Sequence, residues 1–346
     1  MSSPPTGDVR VEVVGRDDAA AGVVQVTLAR PDRTPLPGWQ PGAHIDLFLP
    51  TGDIRQYSLC SDPADPRTWR IAVLREPEGR GGSRFIADEL RVGDALTAAG
   101  PRSHFAFDAG ATSKAVLIAG GIGITPILAM ARAAAEAGRD YELHYAGRAG
   151  RMAFVDELRE RHGDRLVLHV SDEGTRLDVA AVVAEAAGAG AVAEAAGGAG
   201  VAEAAGGAGA GGAGVAAELV CCGPTRLIDA VTVEAGRHGV PLSVEHFEPA
   251  ELTAPVWDQA FEVELAMSGM TIEVAPGQSV LQAIEDAGVL VLSSCTEGTC
   301  GTCETPVLEG EVDHRDSILS AAQRSRNDTM FVCVSRAACP RLVLDL

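Results

Sequence analysis

The chain has 346 residues, a length that accommodates two or three domains with separate hydrophobic cores. It carries 28 basic and 48 acidic residues, and the net charge of −20 argues against nucleic acid and anionic membranes as partners. No apolar stretch of about eighteen residues occurs, and the start, MSSPPTGDVR, lacks the pattern of a signal peptide. We therefore expect a cytoplasmic protein, and we expect it to act as a monomer.

The first predicted domain, residues 1–110, is an antiparallel β-barrel. Short runs of strand-forming residues follow one another between Val9 and Phe107, separated by Pro, Gly and Asp, which is the spacing of an all-β barrel. The runs are VRVEVV, VVQVTLA, HIDLFLP, WRIAVL and DALTAAG. A short helix is predicted from Ser83, which can cap the run RFIADEL.

The second predicted domain, residues 111–248, is an α/β unit. Apolar strands such as KAVLIAG and YELHYAG alternate with helical segments such as TPILAMARAAAEAG and TRLIDAVTVEAGRHG. This alternation indicates a parallel sheet with helices on both faces.

Residues 185–211 interrupt this pattern with a nine-residue repeat made almost wholly of Ala and Gly. Gly raises the entropic cost of ordering, and Ala offers little area to bury. No Gly-X-Y period of the collagen type exists. We therefore predict a flexible insertion that carries no chemistry.

The third predicted domain, residues 259–346, follows a linker at 249–258. The run FEVELAMSGMTIEVA predicts a hairpin, and SVLQAIEDAG predicts a helix that Ser279 can cap.

Four cysteines in the third domain have the spacing C-x4-C-x2-C followed by a distant fourth, which is typical of plant-type 2Fe-2S ligands. They are Cys295, Cys300, Cys303 and Cys333. Gly298 and Gly301 let the loop curl and turn its amides towards the sulfurs. A zinc knuckle has two closely spaced ligand pairs, and ordinary buried thiols have no reason to fall at this spacing. The sequence thus predicts a 2Fe-2S cluster and electron transfer, and the other four cysteines are predicted to be reduced thiols.

A glycine-rich turn in the second domain predicts phosphate binding. In VLIAGGIGITP a strand runs into Gly120, Gly121 and Gly123 and then into Thr125 and Pro126 at the head of a helix. Such glycines allow close approach of a pyrophosphate to the helix N-terminus. The turn departs from G-x-G-x-x-G, and HYAGR lacks the acidic residue expected after the next strand. In isolation, the same glycines also fit simple packing of helix on strand.

Four motifs occur in the order found in the ferredoxin-reductase superfamily: RQYSLCSDP, GRGGS, GGIGITP and CCGP. The chain resembles the family of phthalate dioxygenase reductase and vanillate demethylase reductase from about Val9 to Leu346, apart from the Ala/Gly insertion. The resemblance implies an FMN barrel, an NADH domain and a plant-type, β-grasp ferredoxin domain of α+β class in one polypeptide. It also implies a terminal oxygenase, of Rieske type, as the electron acceptor.

The resemblance further implies a set of flavin-binding residues. The Tyr57 ring would lie against the isoalloxazine, Ser58 would lie near its reactive N5 edge as a catalytic residue, and Phe247 would cover the flavin. The remaining flavin-binding residues would be Arg55, Gln56, Gly81, Gly82 and Ser83, of which the last three would receive the FMN phosphate with help from Arg55.

For NADH, the resemblance places the pyrophosphate at Gly121, Gly123 and Thr125. The nicotinamide would lie beside three further residues, of which the first is also a catalytic candidate: Cys222, Gly223 and Pro224. NADH is expected over NADPH, although Arg148 and Arg151 offer charges for a 2′-phosphate.

Structural alternatives stand beside these roles. Tyr57 could be a barrel-core aromatic, Phe247 could pack at a domain boundary, and Cys222 could only pack beneath the sheet. We assign no catalytic role to His44 or His246.

The family usually has Glu directly after the first cluster cysteine, where this chain has Thr296. We expect that change to leave ligation intact.

The resemblance implies electron flow from NADH to FMN, to the cluster and to the oxygenase. Plant-type clusters lie near about −400 mV and Rieske clusters at roughly −150 to +300 mV, so this last transfer would be downhill. The alternatives are a reductase for a non-Rieske acceptor and an electron-carrier or redox-sensing module.

Overall fold

The computed structural model describes residues 8–196 and 217–346 of the chain. The chain divides into two compact units, the first comprising Met1–Asp53 with Tyr57–Glu245 and the second Ile54–Gln56 with His246–Leu346. Among the described residues, no helix combines the length and the apolarity that crossing a bilayer requires. The three predicted domain ranges stay predictions.

A six-stranded sheet with the strand order β4-β3-β6-β1-β2-β5 forms the barrel. Its strands are β1 (Val9–Ala20), β2 (Val23–Ala29), β3 (His44–Phe48), β4 (Ile54–Ser58), β5 (Thr68–Leu74) and β6 (Ala95–Arg102). β1 pairs antiparallel with β2 and β6, and β2 pairs antiparallel with β5. Every second residue at the start of β1 is buried in the core, as expected of a strand with one buried face. These residues are Val9, Val11 and Val13.

The helix predicted near Ser83 is present as α1 (Gly82–Asp88), but Ser83 does not cap it. The cap position is Gly81, whose φ of 103° suits a residue without a Cβ. Ser83 lies inside the first turn, where its hydroxyl oxygen accepts a hydrogen bond from the Glu76 amide at 3.1 Å. The capping prediction was therefore wrong by two residues.

A parallel sheet with the order β11-β10-β7-β8-β9 forms the nucleotide-binding part. Its strands are β7 (Lys114–Gly120), β8 (Tyr141–Gly147), β9 (Leu166–Val170), β10 (Ala217–Cys222) and β11 (Leu242–Glu245). Its helices are α2 (Ile124–Ala137), α3 (Val155–His162), α4 (Val179–Ala196) and α5 (Thr225–His238). Six of the seven residues of β7 are buried, as expected of a central strand covered on both faces.

Residues 185–196, which were predicted to be flexible, form the C-terminal part of helix α4. The prediction of flexibility was therefore wrong for these residues. Val183 and Ala186 are buried in the core beside β10 and α5. Ala has the highest helix propensity of all residues, and this propensity offsets the low helix propensity of Gly188 and Gly190. The prediction of flexibility did not take the helix propensity of Ala into account. Residues 197–211 of the predicted insertion lie outside the described residues.

A five-stranded sheet with the order β13-β12-β18-β14-β16 and a two-stranded sheet of β15 and β17 form the second unit. The strands are β12 (Phe261–Leu265), β13 (Met270–Val274), β14 (Glu304–Glu309), β15 (Val312–Asp313), β16 (Thr329–Phe331), β17 (Arg336–Ala337) and β18 (Arg341–Leu344). Its helices are α6 (Val280–Asp286) and α7 (Ala321–Arg324). The predicted hairpin is the pair β12–β13, and the Ser279 hydroxyl caps α6 by accepting from the Gln282 amide at 3.1 Å.

The residues predicted as a linker are bonded to the second unit. Val256 donates its amide to Asp313 Oδ2 at 3.1 Å, and Ala250 donates its amide to Ser317 Oγ at 2.8 Å. Trp257 packs against the hydrophobic core of this unit. Residues 249–258 thus lie within the second compact unit.

Candidate functional site

The loop that carries the first three predicted cluster ligands turns its backbone amides towards their sulfurs. Glu297 and Thr299 donate their amides to Cys295 Sγ at 3.3 and 3.5 Å, and Thr302 donates its amide to Cys300 Sγ at 3.4 Å. Such contacts favour thiolates, which are the form that binds iron.

Backbone conformation explains why this loop contains its glycines. Gly298 has a φ of 72° and Gly301 a φ of 76°, in the left-handed region. A Cβ on Gly298 would also lie 2.6 Å from the Val334 side chain. Thr296 adopts a left-handed φ of 58° as well, and its hydroxyl donates to the Cys295 carbonyl at 2.7 Å.

The four cysteines meet at one place. The Cys295 side chain is hydrogen-bonded to Cys300 and Cys333, and Cys303 is hydrogen-bonded to Cys333. Hydrogen bonds from Cys300 and Cys333 lower the pKa of the Cys295 thiol. Cys333 lies in the turn after β16.

This donor set fits a 2Fe-2S cluster, which is held by four cysteine thiolates. None of the eight cysteines, all within the described ranges, forms a disulfide. In the described part of the chain, no three His, Cys, Asp or Glu side chains converge on one metal position. A binuclear cluster requires only two thiolates at each iron, so four sulfurs in adjacent pairs satisfy it.

The glycines of the turn after β7 serve two different purposes. A Cβ on Gly123 would lie 2.3 Å from the Cys222 carbonyl oxygen, and one on Gly120 would lie 2.8 Å from Pro224. These two glycines permit close packing of the turn against the end of β10. Gly121 has a φ of 55° and faces open space, so its amide borders the room that a pyrophosphate would need.

Thr125 is placed less favourably for phosphate than predicted. It is 2% exposed, and its hydroxyl donates to the Ile122 carbonyl at 3.0 Å. Its side chain therefore closes the turn that precedes α2. The role of Thr125 as a direct pyrophosphate ligand stays a prediction.

A carboxyl group that the sequence did not single out lies between the two predicted catalytic residues. Glu245 is paired in register with Cys222 across β10 and β11, and its carboxyl group hydrogen-bonds Ser58. Part of Glu245 remains exposed, but its Oε2 atom is buried and has no hydrogen-bond partner. Burial raises its pKa to about 8, so the carboxyl group is protonated at neutral pH.

Cys222 shares this neutral character. Burial, followed by the nearby Glu245, raises the pKa of its thiol well above the usual value. Ser58, at 5% exposure at the end of β4, completes an uncharged group of three side chains beside the C-terminal ends of β10 and β11. The one sequence signal for Glu245 was an acidic residue within the strand-like run LSVE.

Comparisons with known proteins agree with the predicted 2Fe-2S domain and with the predicted family. The family described as the 2Fe-2S iron-sulfur cluster binding domain matches residues 263–338. The chain is 41% identical over 335 residues to the phenoxybenzoate dioxygenase subunit beta of Ectopseudomonas oleovorans, a match that covers 96% of this chain and 94% of that protein. The chain belongs to the family of oxygenase reductases.

Two solved structures match this reductase over nearly its whole length. One is phthalate dioxygenase reductase, whose structure is described as modular for electron transfer from pyridine nucleotides to 2Fe-2S, at 34% identity, a TM-score of 0.64 and 98% coverage of both chains. The other is an intact type IV self-sufficient cytochrome P450 monooxygenase, at 38% identity and a TM-score of 0.83. The reductase covers 43% of the length of that P450 chain.

These matches confirm the predicted fold class and the class of enzyme, an oxidoreductase component of oxygenase systems. Reductases of the phthalate dioxygenase type bind FMN, NADH and a 2Fe-2S cluster, which are the cofactors predicted here.

The remaining predicted flavin residues are distributed over several elements of the reductase. Arg55, Gln56 and Tyr57 lie on β4, and Tyr57 packs half-buried against the barrel core. Gly82 and Ser83 open α1 after the cap residue Gly81. Their flavin contacts stay predictions.

Phe247 is 41% exposed and belongs to the second compact unit. Its predicted role over the flavin is therefore untested.

Proposed function

We propose that this reductase, working in the cytoplasm, takes electrons from NADH and passes them to a Rieske-type terminal oxygenase. The observation that carries the proposal is the meeting of Ser58, from the flavin motif of the barrel, with Cys222 and Glu245 at the strand ends of the nucleotide-binding sheet. When bound, NADH supplies a hydride, FMN converts the electron pair into single electrons, and the cluster accepts them one at a time.

The residues at this meeting point have defined tasks. The Ser58 hydroxyl and the protonated Glu245 carboxyl group are hydrogen-bonded to each other, so the pair has one further O–H donor and adds no charge beside the flavin motif. Cys222 supplies a neutral, apolar surface. The three side chains thus keep water and net charge away from the site of transfer.

Binding of the two nucleotides rests on backbone groups. The Gly121 amide and the N-terminal end of α2 would hold the NADH pyrophosphate, and the turn at Gly81–Ser83 would hold the FMN phosphate. In the second unit, the amides of Glu297, Thr299 and Thr302 would hydrogen-bond the sulfurs of the cluster ligands.

Two measurements test this function. Purified protein should release FMN, identified by mass spectrometry, and anaerobic NADH should bleach both the flavin and the cluster absorbance. In the presence of a purified Rieske oxygenase, NADH should then reduce the Rieske centre, followed by electron paramagnetic resonance. A flavin and cluster that stay oxidised under excess NADH would reject the proposal.

A cytochrome P450 acceptor is the second candidate, because the whole chain matches part of a self-sufficient P450. The same NADH reaction with a separate P450 as acceptor, monitored by its carbon monoxide difference spectrum, distinguishes the two. Faster reduction of the P450 than of the Rieske centre would favour this second candidate.

A further inference from the structure

Four charged side chains form a network where the barrel meets the nucleotide-binding sheet within the first compact unit. Arg70 of β5 donates to both carboxylate oxygens of Glu157 on α3, at 2.9 and 3.0 Å. Arg132 of α2 donates to the same carboxylate at 3.1 Å and lies 3.2 Å from the Asp62 carboxylate. One carboxylate thus joins an arginine from each side of the boundary.

Three of the four side chains are largely shielded from water, while Asp62 at the edge of the network is 39% exposed. The side chain of Arg132 is 8% exposed, that of Arg70 19% and that of Glu157 28%. Burial opposes ionisation of Glu157, but the hydrogen bond and charge of Arg70, with the charge of Arg132, hold its pKa below the usual value. Glu157 is therefore ionised at neutral pH, and the bidentate contact with Arg70 fixes direction as well as distance.

The two arginines of the network connect to segments that carry predicted site residues. The Arg70 guanidinium also donates to the Cys60 carbonyl at 2.7 Å, two residues beyond Ser58. Arg132 lies on α2, about 12 Å of helix rise from its first residue, where the glycine turn ends. Through these two arginines, Glu157 connects the flavin motif to the helix that follows the phosphate-binding turn.

Packing around the network supports its role in setting position. The Arg70 guanidinium lies 4.9 Å from the centroid of the Phe154 ring, which precedes α3. The amide of Ala21 in the barrel donates to the carbonyl of Gly150 at 2.8 Å. The adjoining apolar core combines barrel residues such as Cys60 and Ala72 with residues of the nucleotide-binding sheet. The apolar contacts stabilise the association of the barrel with the nucleotide-binding sheet. The directional hydrogen bonds of the charged network fix the relative position of the two.

We propose that Glu157 is a positioning residue that, with Arg70, Arg132 and Asp62, holds the barrel and the nucleotide-binding sheet in the register needed for hydride transfer. This inference rests on the proposed function, because it assumes flavin in the barrel and NADH at the glycine turn. Removal of Glu157 should impair transfer more than binding, since the NADH contacts lie within the sheet and its helices while the reacting atoms lie across the boundary.

Glu157→Gln is the primary test, with Glu218→Gln as the matched control. Glu218 accepts from the buried Arg139 at 2.8 Å and is 32% exposed, but this pair joins β10 to the loop between α2 and β8 and includes no residue of the barrel strands. In anaerobic stopped-flow experiments, Glu157→Gln should lower the rate constant of flavin reduction at saturating NADH about tenfold, with less than about a twofold change in the apparent NADH dissociation constant. Glu218→Gln should leave both constants unchanged.

Calorimetry of the purified full-length holoprotein gives a second readout that does not depend on activity. The wild-type barrel and nucleotide-binding sheet should unfold in one transition, and Glu157→Gln should split it into two. If Glu157→Gln fails to fold because Arg132 is left with a buried charge, Arg132→Met/Glu157→Gln removes that charge and takes its place.

The outcomes separate the two ideas. A folded Glu157 variant with the wild-type rate constant and a single transition would overturn the positioning role, as would an equal loss in Glu218→Gln. Failure of NADH to reduce the wild-type flavin would instead overturn the proposed function.

Discussion

The cluster loop and the site at Ser58, Cys222 and Glu245 differ in sequence separation. The cluster loop uses residues that are close in the sequence, whereas the other site uses residues that are far apart in it. The run CTEGTCGTC supplies three cluster ligands and the amides that contact two of their sulfurs. The three residues of the other site come from a barrel strand and from the ends of two parallel strands. The predicted cluster site therefore depends on local conformation, whereas the site at Ser58, Cys222 and Glu245 depends on packing between elements.

The largest expected effect comes from the local site. Cys300→Ser removes a thiolate ligand, so cluster absorbance and iron content should be lost. NADH should still reduce ferricyanide, because the first compact unit retains its cores, while reduction of cytochrome c should fall to background.

Cys339→Ser is the control, since Cys339 lies outside the cluster and its sulfur accepts from the Glu311 amide. It should retain cluster and activity. Wild-type cytochrome c reduction by a cluster-free Cys300→Ser protein would show that electrons leave by another route.

The next effect tests the long-range site. Gly123→Ala would place a Cβ 2.3 Å from the Cys222 carbonyl oxygen, forcing the turn away from β10. We expect a loss of stability of about 1–3 kcal/mol and a fall in NADH-dependent flavin reduction of at least about tenfold, with the cluster intact. Thermal unfolding and stopped-flow absorbance measure both.

Gly138→Ala, at the other end of α2, is the matched control. Gly138 has a φ of 69° and open space around it, so alanine should cost about 1 kcal/mol and leave the NADH kinetics unchanged. Equal losses of the flavin-reduction rate in both variants would mean that any destabilisation of α2 slows flavin reduction. The contact of Gly123 with Cys222 would then have no specific role.

A pH-dependent effect should appear at the long-range site through Glu245. Its folded-state pKa of about 8 lies above the ordinary value of 4.5, so its contribution to stability is complete below pH 4.5 and disappears as pH rises through 8. Between about pH 6 and about pH 9, wild type should lose about 2 kcal/mol more unfolding free energy than Glu245→Gln. Urea unfolding at several pH values measures this difference, and parallel pH profiles would contradict the assignment.

The smallest effect is expected for the Ala/Gly repeat. Deletion of residues 197–211 should leave NADH-driven ferricyanide reduction within about twofold of wild type, since the length of an insertion changes closure entropy only logarithmically. Deletion of 185–211 should also lower the unfolding temperature, because it removes part of α4 that includes the buried Ala186. Equal unfolding temperatures for the two deletions would contradict the structural role of α4.

Local signals allowed several features to be predicted from the sequence alone. The cysteine spacing identified the cluster, strand and helix periodicities gave the fold class, and Ser279 was recognised as a cap. Each of these features depends on residues within one segment, so their physical causes are present in the sequence pattern itself.

Only the tertiary structure decided the features that depend on distant partners. Glu245 gained its raised pKa from burial next to Ser58 and Cys222, and Glu157 gained its two arginines from packing of α2 and α3 against β5. Ser83 lost its predicted capping role because Gly81, with its left-handed φ, begins α1 and the Glu76 amide binds the Ser83 hydroxyl. Burial and the pairing of charges arise only when separate segments fold together, and the sequence pattern alone carries no direct record of them.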